Sequence, residues 1–128
     1  MPLFNYPFAI PAGGASSFSL GYDSKQQAYL PHPNVLVYID VPALNTTQLP
    51  DTQTLTFSLL ESNNSDLSSP TGTTVMGIVT GAGGVGASAA TFCARLKYSG
   101  GRYFGVECTA SATAAASGIP LAFTATQP

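Results

Sequence analysis

Apolar and polar residues alternate in several short runs along this chain. In residues 35–41, Val35, Val37, Ile39 and Val41 share one face, Leu36, Tyr38 and Asp40 share the other, and prolines 31, 33 and 42 bound the run. Residues 54–59 put Leu55, Phe57 and Leu59 inward and hydroxyls outward, the pattern of a half-buried antiparallel strand. Residues 73–80 and 119–126 read as further strands, the second burying Ile119, Leu121, Phe123 and Ala125. Residues 61–70 are a loop by composition, and the Ala-rich stretch 109–117 fits a helix or a loop equally well.

Residues 90–97 and 103–110 form the best-matched pair of strands. Phe92, Ala94 and Leu96 alternate with Cys93, Arg95 and Lys97, while Phe104, Val106 and Cys108 alternate with Tyr103, Gly105 and Glu107. Matching the faces predicts a hairpin that pairs Leu96 with Phe104 and Ala94 with Val106 across the loop Ser99-Gly100-Gly101. Cys93 then lies beside Glu107 on the polar face and Cys108 beside Phe92 in the core, so the two thiols point apart and stay reduced. Together these runs predict an all-β chain, an antiparallel β-sandwich or jelly roll of about seven or eight short strands.

The first twenty residues differ from the rest. Prolines 2, 7 and 11 forbid a helix and weaken any central strand, while Leu3, Phe4, Tyr6, Phe8 and Ile10 are apolar and Gly13-Gly14 offers a hinge. Fully extended, twenty residues reach about 65 Å, well beyond a body whose radius of gyration is about 14 Å. The expectation is therefore an extended Pro-rich arm over residues 1–20 and a sandwich domain over 21–128. In this reading Phe4, Tyr6, Phe8 and Ile10 lie on a neighbour; the alternative is an edge segment folded over its own core.

Composition narrows the function. Only 8% of the 128 residues are charged, the net charge is −2, and 27 Ser and Thr supply the polar surface. Average domains carry about 25% charged residues. No basic stripe is present to neutralise several phosphates or anionic lipids, which argues against direct nucleic-acid binding and against membrane attachment. The longest charge-free stretch, residues 67–94, holds too much Gly, Ser, Thr and Pro for a spanning helix, and the start of the chain does not read as a signal peptide.

Candidate chemistry is sparse. Gly81-Ala-Gly-Gly-Val-Gly86 matches a dinucleotide fingerprint, with Glu107 about twenty residues on where a ribose-binding acid belongs. A doubly wound domain does not fit in the 42 residues that follow Gly86, so a Gly-rich loop between two strands is the expected reading and no cofactor is expected. His32 is the single histidine and lies between prolines, which leaves no Ser-His-Asp triad or multi-histidine metal site. Asp40, Asp51, Glu61 and Asp66 lack the spacing of a calcium loop. Arg95, Lys97 and Arg102 with Glu107 form a charged cluster on one sheet face, either solvated or an interface in which Arg95 and Arg102 contact a partner. No enzyme emerges from these residues.

Residues 54–71, Thr-Leu-Thr-Phe-Ser-Leu-Leu-Glu-Ser-Asn-Asn-Ser-Asp-Leu-Ser-Ser-Pro-Thr, resemble a pattern in the jelly-roll head-decoration, or cement, proteins of tailed bacteriophages. The resemblance continues through the Gly/Ala-rich stretch 81–90, the Arg-Tyr-Phe-Gly-Val strand 102–106 and the Ala/Thr-rich run and closing strand 109–125, covering roughly residues 35–126. It implies a homotrimer on the outer face of an icosahedral head, assembled in a bacterial cytoplasm, that stabilises contacts between capsomers of the major capsid protein. The N-terminal segment departs from the family pattern. A different class, an extracellular carbohydrate-binding or fibre/pilus-type module, would use exposed aromatics such as Tyr22, Tyr29, Tyr38 and Tyr103.

Overall fold

The computed structural model describes residues 2–19, 21–23, 36–96, 102–114 and 116–126. Among these there is no helix, and nine strands follow in order: β1 (Pro2–Ala9), β2 (Ser16–Phe18), β3 (Tyr22–Asp23), β4 (Leu36–Val41), β5 (Thr54–Ser62), β6 (Gly72–Thr80), β7 (Ala90–Arg95), β8 (Tyr103–Ala110) and β9 (Pro120–Thr126). They build two antiparallel sheets, one ordered β1-β9-β4-β7 and the other β2-β8-β5-β6, with β3 also paired to β8. The all-β sandwich expected from the alternation is therefore what forms.

The period-two pattern sets the layers. Val37, Ile39 and Val41 of β4 are buried against Leu55, Phe57 and Leu59 of β5 and Val106 and Cys108 of β8, in one cluster drawn from both sheets. The intervening positions of β4 and β7 face outward, as the alternation requires. The rings of Phe57 and Phe92 lie 5.9 Å apart across the sandwich. Phe92 also covers Gly77 of β6, where a Cβ would stand 2.2 Å from its ring. Leu121 is buried and Ile119 half-buried, while the side chains of Phe123 and Ala125 lie outside the description. The Ala-rich stretch is a loop that buries Ala114 and Ala116.

Two sequence-based expectations are corrected. Residues 2–9 are extended, but they run along their own body as the edge strand of the first sheet, paired with β9 from Pro2↔Thr126 to Ala9↔Pro120. The pairing continues past the strand, where the Ile10 amide donates to the Ile119 carbonyl and the Gly118 amide to that of Ile10. Phe8 packs against the core and Ile10 is buried within it, so neither reaches for a neighbour. Of Phe4 and Tyr6 only the backbone is described. Gly13 and Gly14 serve as a turn into β2, with Gly14 at φ 77° and its amide donating to the Ala110 carbonyl at 3.0 Å.

The second correction concerns the hairpin. β7 pairs with β4, from Leu36↔Arg95 to Val41↔Ala90, whereas β8 pairs with β5 and β2 in the opposite sheet. Leu96 and Phe104 are both buried, yet they enter the core from opposite sheets. Alternation identifies the face a residue presents and leaves the neighbouring strand open, because each strand of a sandwich has an inward face. The segment 97–101, including Lys97 and the expected turn Ser99-Gly100-Gly101, lies outside the described residues, as do Tyr29 and His32.

Candidate interaction surface

The outer face of the β2-β8-β5-β6 sheet holds three of the four large exposed hydrophobic side chains found among the described residues. Register places Phe18, Glu107, Ser58 and Val75 on one rung across the four strands, and Ser16, Thr109, Thr56 and Ile78 on the next. Phe18 is 46% exposed, Val75 59% and Ile78 54%. Thr73 and Thr80 extend the same face along β6, and a cross-strand hydroxyl contact of 2.9 Å joins Ser16 to Thr109. Val75 and Ile78 are three apart and should face opposite ways. They share a face because β6 carries a bulge at Met76, between the pairs Phe57↔Gly77 and Ser58↔Val75.

Glu107 is the one carboxylate on these two rungs. Asp40 accepts from Thr91 Oγ1 at 2.7 Å and Asp51 from the Gly84 amide at 2.9 Å. Asp66 accepts from the Ser68 hydroxyl at 2.7 Å and amide at 3.0 Å, and these bonds hold its carboxyl below the usual range. Glu61 is buried and engaged. Among carboxylates whose side chains are described, Glu107 alone has no hydrogen bond or ion pair, and it is only partly solvated between Phe18 and Ser58.

The charged cluster expected on one face is divided. Arg95 is exposed at the end of β7 in one sheet, and Glu107 faces outward from the other. Arg102 is exposed just before β8, its guanidinium 5.3 Å over the Tyr103 ring. Tyr38 and Tyr103 belong to different sheets, so these two do not converge on one sugar site.

The Gly-rich motif is a loop locked by its own chain. The Gly84 amide is held by Asp51, the Gly81 amide by the Gln53 carbonyl at 3.0 Å and the Ala82 amide by the Gly86 carbonyl at 3.1 Å. The strand β7, not a helix, follows it, so the helix N-terminus that would hold a pyrophosphate is not formed. Val85, 76% exposed, stands at its tip. An open groove of about 480 Å³ lies beside Asp40, Thr91 and Pro120, its carboxylate already bonded to Thr91. Among the described residues, no three His, Cys, Asp or Glu side chains are grouped to hold a metal ion, and no helix is long and apolar enough to cross a membrane.

The thiols differ sharply. Cys93 is exposed on β7, while Cys108 is buried in β8. Burial first, and the neighbouring Glu107 second, push the Cys108 thiol up to about 12. At pH 8 Cys108 is then held as the thiol, and it is also out of reach. Iodoacetamide at pH 8 should modify one thiol per native chain, Cys93, and a second only in denaturant; mass spectrometry of the labelled peptides checks this.

Phe18, Val75, Ile78 and Val85 were missed as surface residues by sequence reasoning. Gly77, inside an otherwise apolar run, was the available signal for a bulge and hence for the shared face of Val75 and Ile78. Compared with known protein families and with curated proteins, the chain matches none.

Proposed function

We propose that this chain is a structural virion protein, a capsid decoration or cement protein that trimerises on the outer face of an icosahedral phage head and braces contacts between major capsid protein capsomers. The observation that carries the reading is the strand order. We read β1-β9-β4-β7 set against β2-β8-β5-β6 as compatible with a jelly-roll winding, in which the paired segments β2 and β3 would share one strand position. That is the architecture implied by the resemblance of residues 35–126 to cement proteins.

The surface supports the same reading. A hydroxyl-lined face with exposed Phe18, Val75 and Ile78 suits extended protein contact. A trimer bridging several shell subunits adds many modest contacts, so a deep pocket is not required.

Light scattering of the purified chain over a range of concentrations tests the homotrimer. The expected mass is three times 13.1 kDa. A monomer at every concentration would overturn the homotrimer.

A further inference from the structure

We propose that the outer edge of β7 is a contact between copies of this chain, a two-fold antiparallel pairing of β7 with β7 of a second copy, centred on Cys93. It goes beyond the trimer reading and does not rest on it.

The two sheets have four edges, and three of them are blunted. β1 carries Pro2 and Pro7, which have no amide hydrogen to offer. β2 and β3, on one edge beside β8, are only three and two residues long. β6 is interrupted by its bulge at Met76. Such devices keep an edge from templating another strand. β7 has none of them. Its six residues include no Pro, Gly or Lys, and its ladder with β4 runs from Leu36↔Arg95 to Val41↔Ala90 without a register shift. Among the described residues no strand pairs with its other side. Its inward row, Ala90, Phe92 and Ala94, is only half-buried, whereas Val37, Ile39 and Val41 on the adjoining β4 are at most 2% exposed. One more strand would complete that cover.

The strand is complementary to itself, which selects a second copy as the occupant. Inward residues must meet inward residues, so the register can shift only in steps of two. Centred on Cys93, the two-fold sets Phe92 opposite Ala94 of the second copy, Thr91 opposite its Arg95, and the two Cys93 opposite each other. Phe92 already fills the space over Gly77, so a facing methyl group fits where a second ring would crowd. The two Arg95 stand about 14 Å apart along the strands, so no like charges face each other. One isologous contact of this kind closes the edge of both copies at once. A single strand pair is smaller than the about 800 Å² per partner of a stable dimer, so the pairing is weak and forms where copies are crowded.

Disulfide trapping in the full-length protein tests it. Directly opposed residues of antiparallel strands have Cα atoms about 4.5–5.5 Å apart, within disulfide reach. Diamide takes the two thiol hydrogens and leaves a Cys93–Cys93 bond, seen as a reducible dimer on a gel, while Cys108 is buried and stays out of the reaction. Collision alone also links exposed thiols. The reference for it is Val85→Cys with Cys93→Ser, whose thiol stands on an exposed loop tip away from β7. The parent should link about tenfold faster than this reference. The register is read with two chains, Thr91→Cys with Cys93→Ser and Arg95→Cys with Cys93→Ser. Mixed, they should link to each other about tenfold faster than either links to itself, because like positions lie about 14 Å apart in the pairing. Cys93→Lys in place of Cys93→Ser in both chains sets two ammonium groups face to face and should slow that mixed link about tenfold. Residues 91, 93 and 95 are exposed, so melting curves should stay near the parent's; if Arg95→Cys fails to fold, the comparison of the parent with Val85→Cys decides alone. A parent that links no faster than the reference, or mixed chains that link no faster than like ones, would overturn the pairing. Either result beside a light-scattering trimer leaves the trimer reading intact, and a fast Cys93 link in a chain that is otherwise monomeric supports the pairing while overturning the trimer.

Discussion

Phe57→Ala should lower stability by about 3–5 kcal/mol, the usual cost of emptying a fully buried aromatic site. The ring is 0% exposed, lies in the middle strand of its sheet's core face and meets Phe92 of the opposite sheet at 5.9 Å. Its removal withdraws contacts from both layers at once. The neighbouring backbone is held by ladders on either side, Phe57↔Gly77 and Phe57↔Cys108, so the site cannot collapse to refill the space. Urea denaturation followed by circular dichroism measures the loss, which should appear as a lower midpoint with little change in slope. A change under about 1 kcal/mol would mean that the two sheets do not share this contact.

Gly86→Ala should cost about 3 kcal/mol or more, although it adds only a methyl group. Gly86 has φ 77°, where any side chain is strained, and a Cβ there would stand 2.0 Å from the Leu44 carbonyl oxygen. That carbonyl accepts from the Ala87 amide and the Leu44 amide donates to the Ala87 carbonyl, both at 2.9 Å, so relief of the clash breaks a reciprocal pair of hydrogen bonds. Gly84 provides the control. Its φ is 69°, but nothing lies within 4 Å of its missing Cβ, and Gly84→Ala should cost about 1–2 kcal/mol from backbone strain alone. Similar melting temperatures for the two variants would show that the Gly86 loop does not pack on residues 44–45 in solution.

Strand identity and facing were legible because they are local. The alternation in residues 35–41, 54–59, 90–96 and 103–110 assigns each side chain to core or solvent, and the burial of Val37, Leu55, Phe104 and Cys108 agrees. Partner choice was not legible. Leu96 fits against Phe104 equally well as a hairpin neighbour or from the opposite sheet, and only the assembled sandwich distinguishes the two. That error also joined Arg95 to Glu107 on one face. The N-terminal segment was legible as extended, since prolines 2, 7 and 11 allow little else, but its docking on β9 depends on residues more than a hundred positions away. The apolar face was hidden for a different reason: the bulge at Met76 resets the parity of β6, and no period-two reading survives it.

The pairing of β1 with β9 sets an order of assembly during synthesis. The first strand has its ladder partner in residues 120–126, so it leaves the ribosome long before that partner exists. Pairing between such distant segments is slow to form. Throughout that interval residues 2–9 are an unsatisfied strand with aromatic side chains, open to pairing with other nascent chains. Prolines at 2 and 7 remove two of its backbone donors and make it a poor template for such partners. The same residues that keep β1 at the sheet edge therefore keep it harmless while it waits.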